Sequence, residues 1–223
     1  KTLALIGGNV SLKGAALSVE SGRIELGSVA ESGVVSIEAV EKGFSFGFGE
    51  LENFGELELS EITAVDASEN GAGDVLLTGR NLTLTDSSVI SSSQTRTNKS
   101  VGIVVNTTES VEINGENDTF IASGLYANNV SENVEETGNI TINTQQLTVG
   151  DKATVITNVW NAGDGGDINI NANNFRIEGG GKVSAATHNT GNGGILNIID
   201  AENVVVVGRS DDGSTPSELS ADG

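Results

Sequence analysis

Cysteine is absent from the chain, proline occurs once, and lysine and arginine are few. Without cysteine, the protein can form neither a disulfide nor a thiolate metal site. The 11 lysine and arginine residues face 31 aspartates and glutamates, which gives a formal net charge of −20. Nucleic acids and anionic membranes attract proteins through lysine and arginine, so we expect neither as a partner. The sequence also lacks an apolar run of about 18 residues, which a membrane-spanning helix requires.

The residues that are present favour a single all-β domain. Of the 223 residues, 36% are hydrophobic, which argues against disorder, and 30 are glycine. Abundant glycine, asparagine, serine and threonine, with few aromatic residues, are typical of many short strands joined by tight turns. The opening segment KTLALIGGNV lacks the long apolar stretch and the cleavage site of a signal peptide. It is typical of the middle of a strand, and we expect the chain to be a piece of a longer protein.

The chain repeats itself with a period of about 28 residues. Residues 73–90 align without a gap on residues 138–155. Equivalent apolar residues are 28 positions apart in three pairs: Val75 and Ile103, Ile140 and Ile168, and Ile168 and Leu196. In one longer unit, from Ile103 to Ile140, the separation is 37. Apolar and polar residues alternate inside each unit, which predicts three short strands, each with one buried face. Three such strands are too few for a core of their own, so the pattern predicts a stacked, parallel β-solenoid.

Stacking of the units predicts continuous apolar rows, one through Ile140, Ile168 and Leu196 and another through Val149, Ile177 and Val206. We expect one continuous solenoid of about eight coils, shorter and less regular over residues 1–72 and about 28 residues each over residues 73–223. In the first part, Val10, Leu17 and Ile24 are spaced by seven and predict three strands of roughly one coil. The register of the following stretch, GFSFGFGELENFGELEL, cannot be assigned from the sequence.

Two coils carry longer loops, at residues 114–137 and 208–223. Both loops return through Ser-x-Leu-x-Ala, at residues 123–127 and 217–221. We therefore expect the loops to occupy equivalent places in their coils. Loops on a rigid scaffold are where binding residues usually lie, and the alternative for both is an ordinary solvated loop.

Several segments resemble a known family. The stretch NVSLKGAALSVESGRIELGSV and the units GNITINTQQLTV, GGDININANNFRI and GGILNIIDAENVVVVG are similar to cyanobacterial exoproteins of the filamentous haemagglutinin type. The resemblance implies a single-stranded, right-handed parallel β-helix that is secreted or displayed on the bacterial cell surface, with a structural or adhesive role. It also implies export by an outer-membrane transporter of the two-partner secretion route, and cell-surface glycans or proteins as partners. The family's amino-terminal secretion domain has no counterpart here, and we expect the chain to begin at or just after it.

Acidic residues raise the alternative of a carbohydrate-active β-helix, either a polysaccharide lyase or hydrolase or a glycan-binding module. Glycoside hydrolysis needs two facing carboxylates about 5 to 10 Å apart, and Asp164 and Asp167 are close in sequence. The equivalent positions in neighbouring coils read Thr137-Gly138-Asn139 and Gly193-Gly194-Ile195, and an aspartate at a turn commonly bonds its own backbone. His188, the only histidine, lies in the turn-rich stretch AATHNTGNGG, where we expect an exposed turn residue. We therefore expect no catalytic residue and no enzymatic activity.

Two aromatic residues are candidate glycan contacts. Tyr126 and Trp160 lie near the ends of coils, and aromatic side chains of this kind often anchor binding sites. The alternative is that both side chains cover apolar surface at a corner of the solenoid.

A calcium site is the remaining hypothesis. Calcium-binding β-rolls repeat G-G-x-G-x-D-x-U-x in tandem, where U is large and apolar. Residues 162–170 match only in part, because Asn169 stands at the apolar position and no second copy adjoins. We interpret residues 165–167 instead as the turn that starts a coil. We expect no cofactor, apart from calcium bound loosely by oxygen ligands around Asp211 and Asp212.

Overall fold

The computed structural model describes residues 1–41, 43–68, 73–93, 101–115, 121–129, 137–160, 163–188 and 190–222. This part of the chain forms strands and no helix, and hence contains no helix that could cross a membrane. Of the loop at 114–137, residues 116–120 and 130–136 lie outside the described residues, as does Ala162 of the partial calcium motif. The prediction of an all-β protein is confirmed.

The strands are, in chain order, β1 (Thr2–Gly7), β2 (Val10–Lys13), β3 (Ala16–Ser18), β4 (Arg23–Ser28), β5 (Ser36–Val40), β6 (Gly43–Gly47), β7 (Glu56–Ser60), β8 (Ala64–Asp66), β9 (Asp74–Leu84), β10 (Val89–Ser91), β11 (Gly102–Asn114), β12 (Gly124–Tyr126), β13 (Asn139–Gly150), β14 (Thr154–Ile156), β15 (Ile168–Ile177), β16 (Lys182–Ser184), β17 (Leu196–Ile199), β18 (Asn203–Val206) and β19 (Glu218–Ser220). They form a 10-stranded sheet, a 7-stranded sheet and a 2-stranded antiparallel sheet. All pairs within the two large sheets are parallel.

The parallel strands stack in three rows. The first row runs β1, β4, β9, β11, β13, β15, β17, and the third runs β3, β8, β10, β12, β14, β16, β19. The second row joins β2, β7, the second halves of β9, β11, β13 and β15, and β18. We call one set of three consecutive segments a level, so the described strands form seven levels. This repetition is consistent with the predicted β-solenoid, whereas the count of about eight coils is not confirmed.

Strand pairing follows the repeat seen in the sequence. In the first row, direct partners are Val75 and Ile103, Ile103 and Ile140, Ile140 and Ile168, and Ile168 and Leu196. In the second row, Ile177 pairs with Val149 on one side and Val206 on the other. The 28-residue offset therefore corresponds to one step between levels, and the 37-residue unit is one level with a longer loop.

The core lies between the three rows. Ile168 and Ile170 of β15 are fully buried, whereas Asn169 and Asn171 between them are partly exposed. This period-2 burial recurs from level to level, because successive side chains of a strand point to opposite faces. Phe175 is the largest of the fully buried side chains. Burial of apolar surface at about 25 cal/mol per Å² is the main source of stability for such a stack.

The corner between the second and third rows is a left-handed turn of two residues. It is formed at the second, third, fifth and sixth levels by Glu61–Ile62, Asp86–Ser87, Asp151–Lys152 and Gly179–Gly180, all with positive φ. Glycine, asparagine and aspartate adopt this conformation more readily than most other residues. The turn therefore explains why Asp86 and Asp151 occupy the same place in the repeat.

The stretch GDGGDININANNF begins a level, as predicted. Gly166 lies between Gly138 of the preceding level and Gly194 of the next. A Cβ atom at Gly166 would lie 2.2 Å from the carbonyl oxygen of Gly138, and one at Gly194 would lie 2.1 Å from that of Gly166. Glycine is needed here because the backbones of neighbouring levels approach closely.

The N-terminal region departs from the parallel stack. Val10 and Leu17 belong to the first level, and Ile24 to the second. Between β4 and β7 of that second level, residues 29–41 and 43–55 lie outside the stack and include the antiparallel hairpin β5–β6. The stretch GFSFGFG, whose register the sequence left open, supplies β6. This inserted hairpin separates β4 from β7 within the second level.

Candidate functional site

The most exposed aromatic cluster among the described residues is a stack of Trp160 on His188. Their ring centroids are 4.3 Å apart and the ring planes are inclined by 18°. Trp160 is 54% exposed, and His188 is exposed as well. The two residues are 28 apart in the sequence and therefore occupy the same place in consecutive levels. Each ring therefore covers one face of the other, and the outer faces and the ring edges remain.

Main-chain pairing fixes the spacing of the two rings. Val159 forms parallel bridges with Asn129 of the preceding level and Thr187 of the next. The Trp160 N–H donates to the Asn129 carbonyl at 3.1 Å, and the His188 N–H donates to the Val159 carbonyl at 2.8 Å. Neighbouring parallel strands lie about 4.8 Å apart, so rings on adjacent levels are within stacking distance.

Tyr126, the second predicted glycan contact, is oriented differently. It is partly buried in the third row, where its hydroxyl donates to the Ala122 carbonyl at 2.7 Å and accepts from the Thr154 hydroxyl at 2.9 Å. Burial raises the pKa of the Tyr126 hydroxyl. Its polar atom is thus engaged within the protein, and Trp160 is the aromatic residue of the predicted pair that is open to solvent.

The carboxylates of Asp164 and Asp167 each bond the next level of the stack. Asp164 accepts from the backbone N–H of Asn192 at 2.9 Å and from its side-chain amide at 3.1 Å. Asp167 accepts from the backbone N–H of Ile195 at 2.8 Å, while its own N–H donates to Asn139 Oδ1 at 2.8 Å. Both acids join neighbouring levels through hydrogen bonds 28 residues apart. Both carboxylates therefore have a structural role, as hydrogen-bond acceptors between neighbouring levels.

The acidic pair considered for calcium lies in the loop after β18. Asp212 accepts hydrogen bonds from the hydroxyls of Ser210 and Ser214 and pairs with Lys152 Nζ at 3.2 Å. These hydrogen bonds, with one from the Ser214 backbone, hold the pKa of the Asp212 carboxyl well below its usual range. Asp211 is exposed. Within the described ranges, no group of three or more histidine or acidic side chains is placed to hold a metal ion.

The two long loops close in the same way. The Ser123 N–H donates to the Gly115 carbonyl at 3.0 Å, and the Ser217 N–H donates to the Gly208 carbonyl at 3.1 Å. Gly115 and Gly208 have similar positive φ, 84° and 80°. After each loop the chain re-enters the third row in the same register. The loops thus leave and rejoin the stack at equivalent points.

Comparisons with protein-family models, curated proteins and solved structures find no match to this chain. The sequence reasoning identified Trp160 but not its partner His188, although the repeat contained the signal. Adding one 28-residue period to 160 gives 188. Its description as an exposed turn residue agrees with the exposure of its side chain, and its stacking on Trp160 is the additional finding.

Proposed function

We propose that this chain is a segment of a secreted or surface-displayed bacterial exoprotein, in which it forms a right-handed β-helical stalk with an adhesive surface. The observation that carries the proposal is the repetition of the same three parallel segments through seven levels. Such a stack is extended along one axis and presents similar side chains at each step. In this proposal the longer protein is exported by an outer-membrane transporter of the two-partner secretion route.

Polar ladders along the outside support a structural role. Asparagine side chains on neighbouring levels bond each other, at 2.8 Å between Asn143 and Asn106, at 2.8 Å between Asn197 and Asn169, and at 2.9 Å between Asn203 and Asn174. Such ladders satisfy polar groups between levels without placing charge on the surface. The net charge of −20 keeps the stalk soluble.

The adhesive contact in this proposal is the Trp160–His188 stack, and its ligand class is neutral glycan. A pyranose ring has an apolar face that packs on an aromatic ring, and an indole N–H can donate a hydrogen bond to a sugar hydroxyl. Cell-surface polysaccharide is therefore a suitable partner for the exposed half of Trp160. The hydrogen bonds of Asp164 and Asp167 to the next level favour binding without bond cleavage.

Replacing Trp160 by alanine is expected to weaken glycan binding at least about tenfold, because the stacking surface is removed. Binding is measured on immobilised neutral polysaccharides with increasing protein concentration. Phe44→Ala is a matched control, since Phe44 is 53% exposed and lies on the hairpin. The control is expected to bind within about twofold of the unmodified protein.

Three results would contradict the proposal. They are a lack of retention on any polysaccharide, equal retention of the Trp160 and Phe44 variants, and release of new reducing ends during incubation. The last result would favour the carbohydrate-active enzyme as the alternative function.

A further inference from the structure

The hairpin β5–β6 is attached to the stack through β6 and the segment that follows it. The Phe44 N–H donates to Thr2 Oγ1 at 2.8 Å, and the Phe46 N–H donates to Glu25 Oε2 at 3.0 Å. Phe48 packs against Gly27, where a Cβ atom would lie 2.6 Å from its ring. These contacts fix the hairpin on the outside of the first row.

The strand β5 has a free edge. Among the described residues β5 pairs with β6 alone, and all five of its residues are exposed. A strand with one unpaired edge offers a row of backbone N–H and C=O groups to another extended chain. Proteins commonly use such edges to bind peptide segments, with backbone hydrogen bonds providing affinity and alternate side chains providing specificity.

One face of the hairpin is apolar and exposed. The register pairs Ile37 with Phe46 and Ala39 with Phe44, so these four side chains lie on one face. Ile37 is 64% exposed and Phe44 is 53% exposed. Four of the six phenylalanines of the chain fall within residues 29–55. Contiguous apolar surface of this kind commonly marks an interaction site.

A separate cleft lies at the base of the hairpin, and Ser36 and Gly47 line it rather than Ile37 and Phe44. It has a volume of about 500 Å³, and its lining consists of two apolar residues, two serines, three glycines and two acids: Val34, Leu51, Ser32, Ser36, Gly33, Gly47, Gly49, Glu31 and Glu50. Val34 is 82% exposed. The Glu31 carboxylate accepts hydrogen bonds from the backbone N–H groups of Glu52 and Asn53 at 2.7 and 3.0 Å. These bonds join the two ends of the inserted segment at its base.

Charge identifies the kind of partner. Residues 29–55 contain five glutamates and a single lysine, within a chain whose net charge is −20. A second copy of this chain would bring like charges together, which disfavours self-association through the hairpin. A segment rich in lysine or arginine would instead be attracted to it.

We propose that the edge of β5 binds an extended basic segment of another protein by strand addition. Apolar side chains of that segment cover Ile37 and Phe44, and the alternating cationic side chains lie on the opposite face of the sheet, with Glu38. The stack of levels acts as the support for this hairpin.

The probe is a capped peptide of about ten residues in which lysine and valine alternate. Its control is an isomer of the same composition with all lysines preceding all valines. We expect the alternating peptide to bind at least about tenfold more tightly at about 150 mM salt, where long-range attraction is largely screened. Isothermal titration calorimetry measures both affinities.

Variants locate the site. Ile37→Ser with Phe44→Ser is expected to weaken binding of the alternating peptide at least about tenfold, because the apolar face is lost. Val40→Ser is the matched control, since Val40 pairs with Gly43 on the opposite face of the hairpin, and it is expected to bind within about twofold of the unmodified protein. Thermal unfolding of each variant checks that the stack is intact.

Equal binding of both peptides, or equal binding of the double variant and the control, would overturn the proposal. A dimer in sedimentation that the double variant abolishes would also overturn it, in favour of self-association.

Discussion

Replacing Arg23 by methionine is expected to lower the free energy of unfolding by about 3–5 kcal/mol, because two buried carboxylates lose their cation. The side chains of Arg23, Glu25 and Asp74 are 12%, 5% and 6% exposed. Arg23 Nε contacts Glu25, and Arg23 Nη1 lies 3.3 Å from Asp74 Oδ2. The second carboxylate oxygen of Glu25 accepts a hydrogen bond from the Phe46 N–H of the hairpin. The second carboxylate oxygen of Asp74 accepts a hydrogen bond from the Val101 N–H at 2.9 Å.

This cluster connects three parts of the structure, so its loss is expected to affect more than one contact. It joins the second level, the third level and the hairpin. Urea denaturation of the purified variant measures the change in free energy. Arg176→Met is the matched control, because Arg176 and Glu178 are 45% and 42% exposed. An exposed pair contributes about 0–1 kcal/mol. Equal destabilisation by both substitutions would contradict the importance of the buried cluster.

Replacing Phe175 by alanine is expected to lower the free energy of unfolding by about 3–5 kcal/mol, through lost apolar burial and the cavity that remains. Phe175 is 1% exposed and occupies the second row, paired with Leu147 on one side and Val204 on the other. Adjacent levels are joined by backbone hydrogen bonds, which limits collapse of the cavity. The cost is therefore expected within the usual range for a buried phenylalanine.

Phe44→Ala provides the contrast for this second substitution, since it removes the same atoms from an exposed position. A surface substitution of this kind is expected to change the free energy of unfolding by about 0.5 kcal/mol or less. Denaturant titration of both variants gives the comparison. A cost at Phe175 no larger than that at Phe44 would show that the second row does not form the core.

The rows of the core were predictable from the sequence because one apolar residue per strand recurs at a fixed offset. Ile140, Ile168 and Leu196 each fill the same place on successive levels. The hairpin was not predictable in this way. Ile37 and Phe44 lie on strands that pair with each other, so they have no partner one period away. Alternating apolar residues predict a strand but do not indicate whether its neighbour is parallel or antiparallel.

The candidate site was predictable in part. Trp160 was identified by its residue type, whereas the difference between its exposure and that of Tyr126 depends on the fold. Tyr126 bonds Thr154 on the next level, and such a contact across levels is visible only once the strands are paired. The buried cluster around Arg23 was missed for the same reason, since Asp74 is distant in sequence and adjacent in the first row.

Distances between spin labels along the second row test the central claim, that equivalent residues stack level on level. The chain has no cysteine, so labels can be attached at introduced cysteines alone. Successive partners on the outside of this row are Ser11, Glu58, Thr83, Glu112, Thr148 and Arg176. At about 4.8 Å per step, double electron–electron resonance should give about 24 Å for Ser11→Cys with Arg176→Cys, and about 19 Å for Glu58→Cys with Arg176→Cys. Distances that do not shorten in this order, or that extend beyond about 40 Å, would contradict the stack.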